Sequence, residues 1–573
     1  MNFYSTIDFK PKLVSAMRDY SFDKFKADLI AGIVVGIVAL PLAVAFGIAS
    51  GVNPTVGLIT AIIGGFIVSV TGGCSVQIGG PTGAFIVIVY GIISNFGLEG
   101  LAVATFMAGI ILMALGFFRL GTIIKFIPYP IVVGFTAGIA LTIFSTQIND
   151  FLGLGLKNIP GEFLPKWAMY LSNLGNIDWM TLAVGIVTLS IIVVTPLISR
   201  RLPGALMSII IVTALTAFIP TVFPGFQVET IGDRFGSLST DIPAAKGFTL
   251  DMATINLLLP SAFTIAILGA IESLLSATVA DGVTGVRTNS NTELIGQGMA
   301  NIVVPFFGGI PVTGAIARTM TNITNGGRTP VAGVIHALVL FAIFLFLMPL
   351  INMIPMSCLA AVLIVVSYNM SGWRTIRSIF HNPKSDIIVL IVTFGLTVIF
   401  DLTIAIEMGL LLAVILFMRR VMENTQIREY SGKLEVDENS EMTHHEVLNL
   451  NPGITVYEID GPFFFGVATK FDEMMRSTPH AKPKVRIIRM RKVPFIDSTG
   501  IHNLETLIRS SQEEDIQIVL SGVKENVREA LIHAGIGNLI DEDHICPHIS
   551  VAVEMANSLV PCRDDSVLTP AAL

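Results

Sequence analysis

Two nearly matching stretches interrupt an otherwise apolar part of the chain: GGPTGA at residues 79–84 and GGIPVTGA at residues 308–315. Each opens a short segment that is rich in small residues. A helix that begins inside a membrane leaves its first N–H groups without partners, and lipid cannot supply them. Such a start is tolerated where it lines an aqueous cavity, and its positive dipole end attracts anions there. The matched pair therefore predicts two half-helices directed at one anion. Ordinary loops rich in Gly and Pro are the alternative interpretation.

The composition is that of a polytopic membrane protein, since 53% of the residues are hydrophobic, 13% are charged and the mean hydropathy is +0.75. A membrane-spanning helix needs about 20 predominantly apolar residues. Region 27–420 is predicted to hold fourteen membrane segments, two of them short. The full spans are expected near 27–50, 53–71, 98–118, 126–147, 179–198, 204–220, 256–281, 291–307, 330–349, 354–370, 386–400 and 402–419, and the short segments at 82–95 and 312–324.

The basic residues predict how these segments cross the bilayer, because Lys and Arg near membrane helices stay in the cytoplasm. With the N-terminal segment 1–26 inside, fourteen segments place almost every basic loop on the same side. We therefore expect an integral protein of the plasma or bacterial inner membrane, with both termini cytoplasmic. Fourteen divides into two inverted repeats of seven, and the two Gly/Pro segments are third in each half. Their helix N-termini should then face each other near the midplane.

Two charges inside predicted segments are candidate functional groups, because a charge at the centre of a membrane helix costs roughly 2.5–3.5 kcal/mol. Glu272 lies within the span 256–281, with Ser276 one turn later on the same face. Arg318 lies in the short segment 312–324 and would add a full positive charge to the helix dipole. An ion pair between Glu272 and Arg318 that only joins two helices is the alternative. His336 is expected to be an interior histidine with satisfied polar atoms.

The composition changes at residue 421. Residues 421–450 are rich in charges and predict a solvated linker, whereas residues 451–560 alternate between strand and helix patterns and predict a small α/β domain. Strands are expected near 454–459, 484–490 and 516–521, and helices near 467–477, 499–513 and 524–534. The polar tail 561–573 is expected to be disordered.

Four stretches carry a resemblance to the sulfate permease (SulP) anion transporters, and together they extend over roughly residues 20–560. Three are in the membrane part: VALPLAVAFGIASGVNPTVGL (38–58), GFTAGIALTIFSTQINDFLG (134–153) and GGIPVTGAIARTMTNITNGGRTPVAG (308–333). The fourth is the C-terminal domain, where GPFFFGVATKF (461–471) and VPFIDSTG (493–500) resemble a STAS domain.

The resemblance implies a core domain of helices 1–4 and 8–11 and a gate domain of helices 5–7 and 12–14. It also implies elevator-type alternating access in a homodimer. The anion site would lie between the N-termini of helices 3 and 10. In this sequence the implied site residues are Phe46, Thr82, Gly83, Ala84, Glu272, Ser276, Gly314, Ala315 and Arg318.

The STAS resemblance implies a regulatory role and a cytoplasmic protein partner. Partner-switching STAS domains are phosphorylated on a serine that follows an aspartate, which here is Ser498 after Asp497. The alternative is that Asp497, Ser498 and Thr499 only cap the helix that begins there.

Departures from relatives bear on the coupling ion. Glu272 and Ile316 stand where the sodium-coupled bicarbonate branch carries an aspartate and a threonine. Sodium prefers several oxygen ligands, and Ile316 supplies none. We therefore expect a proton-linked or an uncoupled carrier rather than a sodium-coupled one, with Glu272 as the candidate coupling group.

The sequence thus predicts a STAS-regulated secondary active transporter of a small inorganic or organic anion, such as sulfate, bicarbonate or a dicarboxylate. A nucleobase permease of the same fold and an anion channel or sensor are the alternatives. No Walker A, HExxH or GxSxG pattern occurs, so the protein is not expected to be an enzyme. The four cysteines lack metal or disulfide spacing, and we expect no metal, no cofactor and no nucleic-acid partner.

Overall fold

The computed structural model describes residues 9–122, 128–157, 159–199, 203–223, 225–236, 238, 240, 243–249, 251–400, 402–436, 446–467, 471 and 483–560. The chain divides into two compact units, Met1–Ala413 and Val414–Leu573.

Among its described residues, the first unit is mainly helical and has one pair of two-residue strands, β1 (Gly79–Gly80) and β2 (Thr313–Gly314). Its described helices are α1 (Lys12–Arg18), α2 (Phe22–Ala49), α3 (Pro54–Thr71), α4 (Ile86–Phe117), α5 (Tyr129–Leu152), α6 (Phe163–Ser172), α7 (Trp179–Ile198), α8 (Gly204–Val222), α9 (Ile231–Phe235), α10 (Met252–Thr284), α11 (Ser290–Val303), α12 (Ile316–Thr324), α13 (Val331–Phe346), α14 (Met348–Asn352), α15 (Met356–Met370), α16 (Trp373–Ile379), α17 (Lys384–Ile399) and α18 (Leu402–Asn424), the last of which continues into the second unit.

The helices match the predicted membrane segments. Among the described residues, eight helical stretches are long and apolar enough to cross a membrane. Helix α4 is broken at Gly97 (φ 68°, ψ −170°), which separates the segments predicted at 82–95 and 98–118. Glycine adopts this left-handed backbone without the steric cost that a Cβ would add. The prediction of a polytopic helical membrane domain is confirmed, and the described helices are compatible with fourteen segments.

Helix packing separates the membrane unit into two groups. In one group α4 packs against α10 and α11, and α13 packs against α2 and α3. In the other, α5 packs against α15 and α17, and α7 packs against α8 and α15. The first group, which α12 joins through α10 and α2, contains the helices that the resemblance assigns to the core, and the second contains those assigned to the gate except α18.

The second unit is an α/β domain. Its described strands are β3 (Gln426–Ser431), β4 (Lys433–Val436), β5 (Glu446–Asn449), β6 (Ile454–Asp460), β7 (Val485–Lys492), β8 (Gln517–Ser521) and β9 (Ile545–Cys546). A five-stranded sheet has the order β3-β6-β7-β8-β9, in which β3 is antiparallel to β6 and the other pairs are parallel. The described helices that accompany these strands are α19 (Ser498–Glu513), α20 (Glu525–His533) and α21 (Ile549–Leu559). The strands and helices predicted between 484 and 534 are confirmed, as is the strand near 454–459.

The predicted linker 421–450 is wrong where it overlaps the sheet. Strand β3 pairs with β6 from Gln426↔Asp460 to Ser431↔Thr455, and β4 pairs with β5. Strand β3 is at the edge of the sheet and most of its residues are exposed, so it carries the charges that edge strands tolerate. Those charges resemble a linker in the sequence. Most of the predicted helix 467–477 and the tail 561–573 lie outside the described residues.

Candidate functional site

The two Gly/Pro stretches are joined by the β1–β2 pair. Gly79 is opposite Gly314 and Gly80 is opposite Thr313 in an antiparallel register. The chain leaves β1 into the turn Gly83–Phe85, which continues directly into α4, and it leaves β2 into α12. The pairing therefore brings two helix starts together that are far apart in the sequence.

Neither helix start has a side-chain cap. Thr82 precedes the turn that leads into α4, and Ala315 precedes α12, and neither side chain accepts a hydrogen bond from the helix. A threonine at this position would ordinarily cap the N–H groups. The Thr82 hydroxyl instead donates to Oε2 of Glu272, 2.8 Å away. The positive ends of both helices are left to other partners.

Arg318 lies across the two helix starts. It is 2% exposed, and its Nη2 donates to the carbonyl oxygen of Pro81 on the opposite stretch. Its Nη1 has no hydrogen-bond partner in the described part of the chain. A Cβ on Gly80, whose φ is +154°, would lie 2.2 Å from that Nη1, so only glycine fits there. Within the described residues Arg318 and Glu272 form no direct ion pair, and their side chains contact Pro81 and Thr82 of the first stretch instead.

Ser273 fixes the second strand on α10, although the sequence interpretation overlooked it. Its Oγ lies 2.8 Å from Oγ1 of Thr313 and accepts a hydrogen bond of 3.1 Å from the N–H of Gly314. The Thr313 hydroxyl in turn donates to the carbonyl oxygen of Gly269 at 2.9 Å. The sequence did offer a signal for Ser273, because its hydroxyl directly follows the intramembrane Glu272.

Ser276 is placed in the packing between α10 and α12. It is fully buried, and its hydroxyl donates to Oγ1 of Thr319 at 3.2 Å. Thr319 also accepts a hydrogen bond of 3.1 Å from the N–H of Ile78, just before β1. In this structure Ser276 thus supports the strand pair, and its predicted contact with the anion stays a prediction.

The remaining predicted site residues lie at or behind the helix starts. Phe46 is 5% exposed and belongs to the same apolar cluster as Ala84 and Phe85. Ala315 is buried, whereas Ile316 in the first turn of α12 is 42% exposed.

Glu293 is a buried carboxylate that the sequence interpretation missed. Its Oε2 accepts hydrogen bonds from the N–H groups of Gly73 (2.8 Å) and Cys74 (3.0 Å). Its Oε1 accepts from Nε2 of Gln77 (3.0 Å) and of Gln297 (2.8 Å). The rule that singled out Glu272, a charge at the centre of an apolar span, does not reach Glu293, because Glu293 stands in the polar first turn of α11. Its role differs, because three of its four contacts hold the chain segment that leads into β1, and the fourth is to Gln297 on its own helix.

The expectation for His336 is wrong. The side chain is fully buried, but neither ring nitrogen has a hydrogen-bond partner among the described residues. The ring packs where α13 meets α3, and a Cβ on Gly65 would lie 3.4 Å from its Cε1. Among the described residues no group of three or more His, Cys, Asp or Glu side chains could hold a metal ion.

Comparison with known proteins agrees with this architecture. The sulfate permease family profile matches residues 25–393, and the STAS domain profile matches residues 447–552. YvdB of Bacillus subtilis, named as a candidate sulfate transporter, is 39% identical over 532 residues, which are 93% of this chain and 98% of YvdB. The bicarbonate transporter BicA of Picosynechococcus is 29% identical over 524 residues, covering 89% of this chain and 91% of BicA.

Solved structures show the same fold. The murine anion transporter Slc26a9 superimposes with a TM-score of 0.85 at 19% identity, over 97% of this chain and 96% of that one. The transmembrane domain of a cyanobacterial BicA superimposes with a TM-score of 0.61 at 28% identity, over 69% of this chain and 98% of that one. Members of the matched family are transporters and not enzymes. The chain is a multi-pass integral membrane protein that belongs to the sulfate permease family of anion transporters and carries a STAS domain.

Proposed function

We propose that the protein is a secondary active carrier that moves a small anion, sulfate, bicarbonate or a dicarboxylate, together with a proton. The observation that carries this proposal is the pair of uncapped helix starts that the β1–β2 register holds together, with the buried Arg318 beside them. The names of YvdB and BicA support sulfate and bicarbonate as the first substrates to test.

The charges at the site favour an anion. Each helix N-terminus contributes roughly half a positive charge, and the guanidinium of Arg318 adds a full one. The Nη1 of Arg318 is a buried donor without a partner among the described residues, which an anion bound between the helix starts would satisfy. Backbone N–H groups and a guanidinium bind oxyanions and carboxylates alike.

Glu272 supplies the proposed coupling to protons. Its carboxylate lies 2.8 Å from the Thr82 hydroxyl, immediately before the first helix start. Two like charges 4 Å apart repel by about 4 kcal/mol at an effective dielectric constant of 20. A proton on Glu272 removes that repulsion, so proton binding and anion binding strengthen each other reciprocally. This linkage is what a proton–anion symporter requires.

The proposed movement is an elevator-type displacement of the core against the gate. A Cβ on Gly83 would lie 2.9 Å from Sδ of Met370 on α15 and 3.2 Å from Cδ1 of Ile143 on α5. The first helix start therefore packs directly on two gate helices. Because each helix group packs mainly within itself, rigid-body movement of one group past the other keeps both cores intact. We further propose cytoplasmic termini in a plasma or bacterial inner membrane and a homodimeric assembly.

The proposed regulation lies at the start of α19. Asp497 caps this helix by accepting from the N–H of Gly500 at 2.8 Å, and it also accepts from the N–H of Phe465 at 3.1 Å. Ser498 is exposed and makes no hydrogen bond through its side chain in the described part of the chain. We propose that phosphorylation of Ser498, or a cytoplasmic protein bound there, changes the transport rate. Uptake by Ser498→Asp should then differ from uptake by Ser498→Ala, and equal rates would leave Asp497 as a simple cap.

Uptake by the purified protein in proteoliposomes tests the transport proposal. Labelled sulfate, bicarbonate, fumarate and uracil are each supplied with and without an inward proton gradient. We expect one anion whose uptake rises with the gradient, and Glu272→Gln should abolish that rise. Glu407→Gln is the matched control, because Glu407 is an exposed carboxylate in α18. An unchanged gradient response in Glu272→Gln would refute the coupling role. Uptake of uracil alone would replace the anion carrier by a nucleobase permease.

A further inference from the structure

A cavity of about 760 Å³ lies beside α6 in the membrane unit, away from the half-helix site. Tyr90, Gln147, Asp150, Lys166 and Tyr170 are among its lining residues. A second cavity of about 650 Å³ shares Tyr90 and Lys166 with the first and reaches Ile86, the first residue of α4. Together the two cavities lead from α6 towards the first helix start.

Two polar side chains of α6 line the larger cavity without a partner. Lys166 is 5% exposed and has no hydrogen bond or ion pair through its ammonium group among the described residues. Tyr170 follows one helical turn later, is 1% exposed, and its hydroxyl has no hydrogen-bond partner among them either. Residues four apart share one face of a helix. Burial lowers the pKa of Lys166 and raises the pKa of Tyr170.

Helix α6 holds these side chains rigidly. Between them lies Trp167, whose Nε1 donates to Oγ of Ser145 on α5 at 2.9 Å. Its ring lies 6.5 Å from the ring of Phe144 and 6.1 Å from that of Tyr170, measured between centroids. The tryptophan therefore anchors α6 on α5, so the ammonium and the phenol keep their places at the cavity wall.

The carboxylates at the cavity are engaged elsewhere. Asp150 accepts from Nη1 and Nη2 of Arg234 at 2.8 and 3.0 Å, and Glu229 accepts from Nε and Nη2 of the same residue at 2.9 and 2.5 Å. Asp233 accepts from the backbone N–H and the hydroxyl of Thr230, the residue just before its own helix, α9. Lys166 is left without a counter-ion at hydrogen-bond distance in the described part of the chain. Burying a charge without a partner is costly, and a bound anion relieves that cost.

We propose that Lys166 and Tyr170 form a second anion site, in which the transported oxyanion or carboxylate waits between solvent and the half-helix site. One ligand oxygen accepts from the Lys166 ammonium and another from the Tyr170 hydroxyl. The inference rests on the proposed anion transport for the identity of its ligand, but the site itself is built from residues outside the half-helices. Two-point recognition favours an anion with at least two acceptor oxygens.

Transport kinetics test the site in proteoliposomes of the full chain. Lys166→Met should raise the KM for the transported anion on the order of five- to tenfold without changing kcat, because it removes binding before the central site. Tyr170→Phe keeps the ring packing and should raise the KM about twofold. Lys166→Arg should restore most of the affinity. Lys157→Met is the matched control, since Lys157 lines the same cavity but is exposed.

A labelling experiment reads the site without transport. The purified full chain is acetylated with acetic anhydride at pH 7.5, and the extent at Lys166 is mapped by mass spectrometry with and without sulfate or bicarbonate. Protection of Lys166 but not of Lys157 is expected, and it should persist in Arg318→Met, where the central site is removed. An unprotected Lys166, together with an unchanged KM in Lys166→Met, would overturn the second site while leaving the carrier proposal intact. Protection in a protein that takes up no anion would refute the carrier and retain the site.

Discussion

Two substitutions of Glu293 should show how much of its contribution to stability comes from accepting hydrogen bonds and how much comes from its negative charge. In the wild type both of its oxygens act only as acceptors, from Gly73 and Cys74 on one side and from Gln77 and Gln297 on the other. Glu293→Ala removes every acceptor at once. Glu293→Gln retains one carbonyl oxygen, which can still face the two backbone N–H groups.

The expected magnitudes follow from these contacts. A buried donor that loses its partner costs about 1–3 kcal/mol, so the two orphaned backbone N–H groups in Glu293→Ala cost about 2–6 kcal/mol in the free energy of unfolding. In Glu293→Gln the new amide can donate to flipped Gln77 and Gln297 side chains, whose Oε1 atoms have no partner among the described residues. This variant loses only the charge-assisted part of its hydrogen bonds, on the order of 1–2 kcal/mol.

Unfolding of the detergent-purified protein by sodium dodecyl sulfate in mixed micelles, followed by circular dichroism, measures both variants. Glu99→Ala is the control, because Glu99 is an exposed carboxylate. Glu293→Ala should also lose anion uptake, since Glu293 holds the segment that leads into β1. Equal destabilisation by Glu293→Ala and Glu293→Gln would refute the argument that the backbone N–H groups depend on this acceptor.

Two further predictions concern helix packing and pH. Gly57→Ala should cost about 1–3 kcal/mol in unfolding free energy, because its Cβ would lie 2.1 Å from the carbonyl oxygen of Ala43. Gly91→Ala is the control, because no described atom lies within 4 Å of the Cβ position there. Equal thermal stability of the two variants would contradict the packing argument. The Tyr20 hydroxyl donates to Asp28 at 3.1 Å, and burial together with that carboxylate raises the pKa of Tyr20 to about 12. The folded state therefore favours the protonated phenol, so this contribution to stability is present below pH 10 and is lost as the pH rises through 12. Tyr20→Phe should flatten this loss in unfolding measurements between pH 9 and pH 12, and an unchanged pH profile would refute it.

Much of the membrane domain could be predicted from the sequence because the bilayer allows few solutions. Apolar runs must be helices, and Gly/Pro breaks inside them must find polar surroundings. This reasoning placed the two short segments at 82–95 and 312–324, and the structure breaks α4 at Gly97, between the first of them and the span predicted at 98–118. It also singled out Arg318, since a lone cation in an apolar membrane segment is costly and therefore indicates a functional site.

The contacts of these charges could not be predicted in the same way. Glu272 and Glu293 both lie in helices of the membrane unit. Glu272 accepts from a hydroxyl at a helix start, whereas Glu293 accepts from three donors far away in the chain and from Gln297 one turn along its own helix. Strand β3 shows the same limit in the second unit, because an edge strand and a solvated linker carry similar charges. An edge strand differs from a linker in having a strand to pair with, and the sequence of the segment does not show which strand that is.

The amino-acid sequence by itself determined the class of protein, the positions of the broken helices and the preference for an anion, because these follow from local hydropathy, backbone chemistry and charge. Only the tertiary structure decided that Gly79 is opposite Gly314, that Arg318 reaches Pro81, and that Lys166 is buried without a counter-ion at hydrogen-bond distance among the described residues. The physical reason is that each of these facts depends on which segment packs beside which, and long-range packing is settled by the free energy of the whole fold.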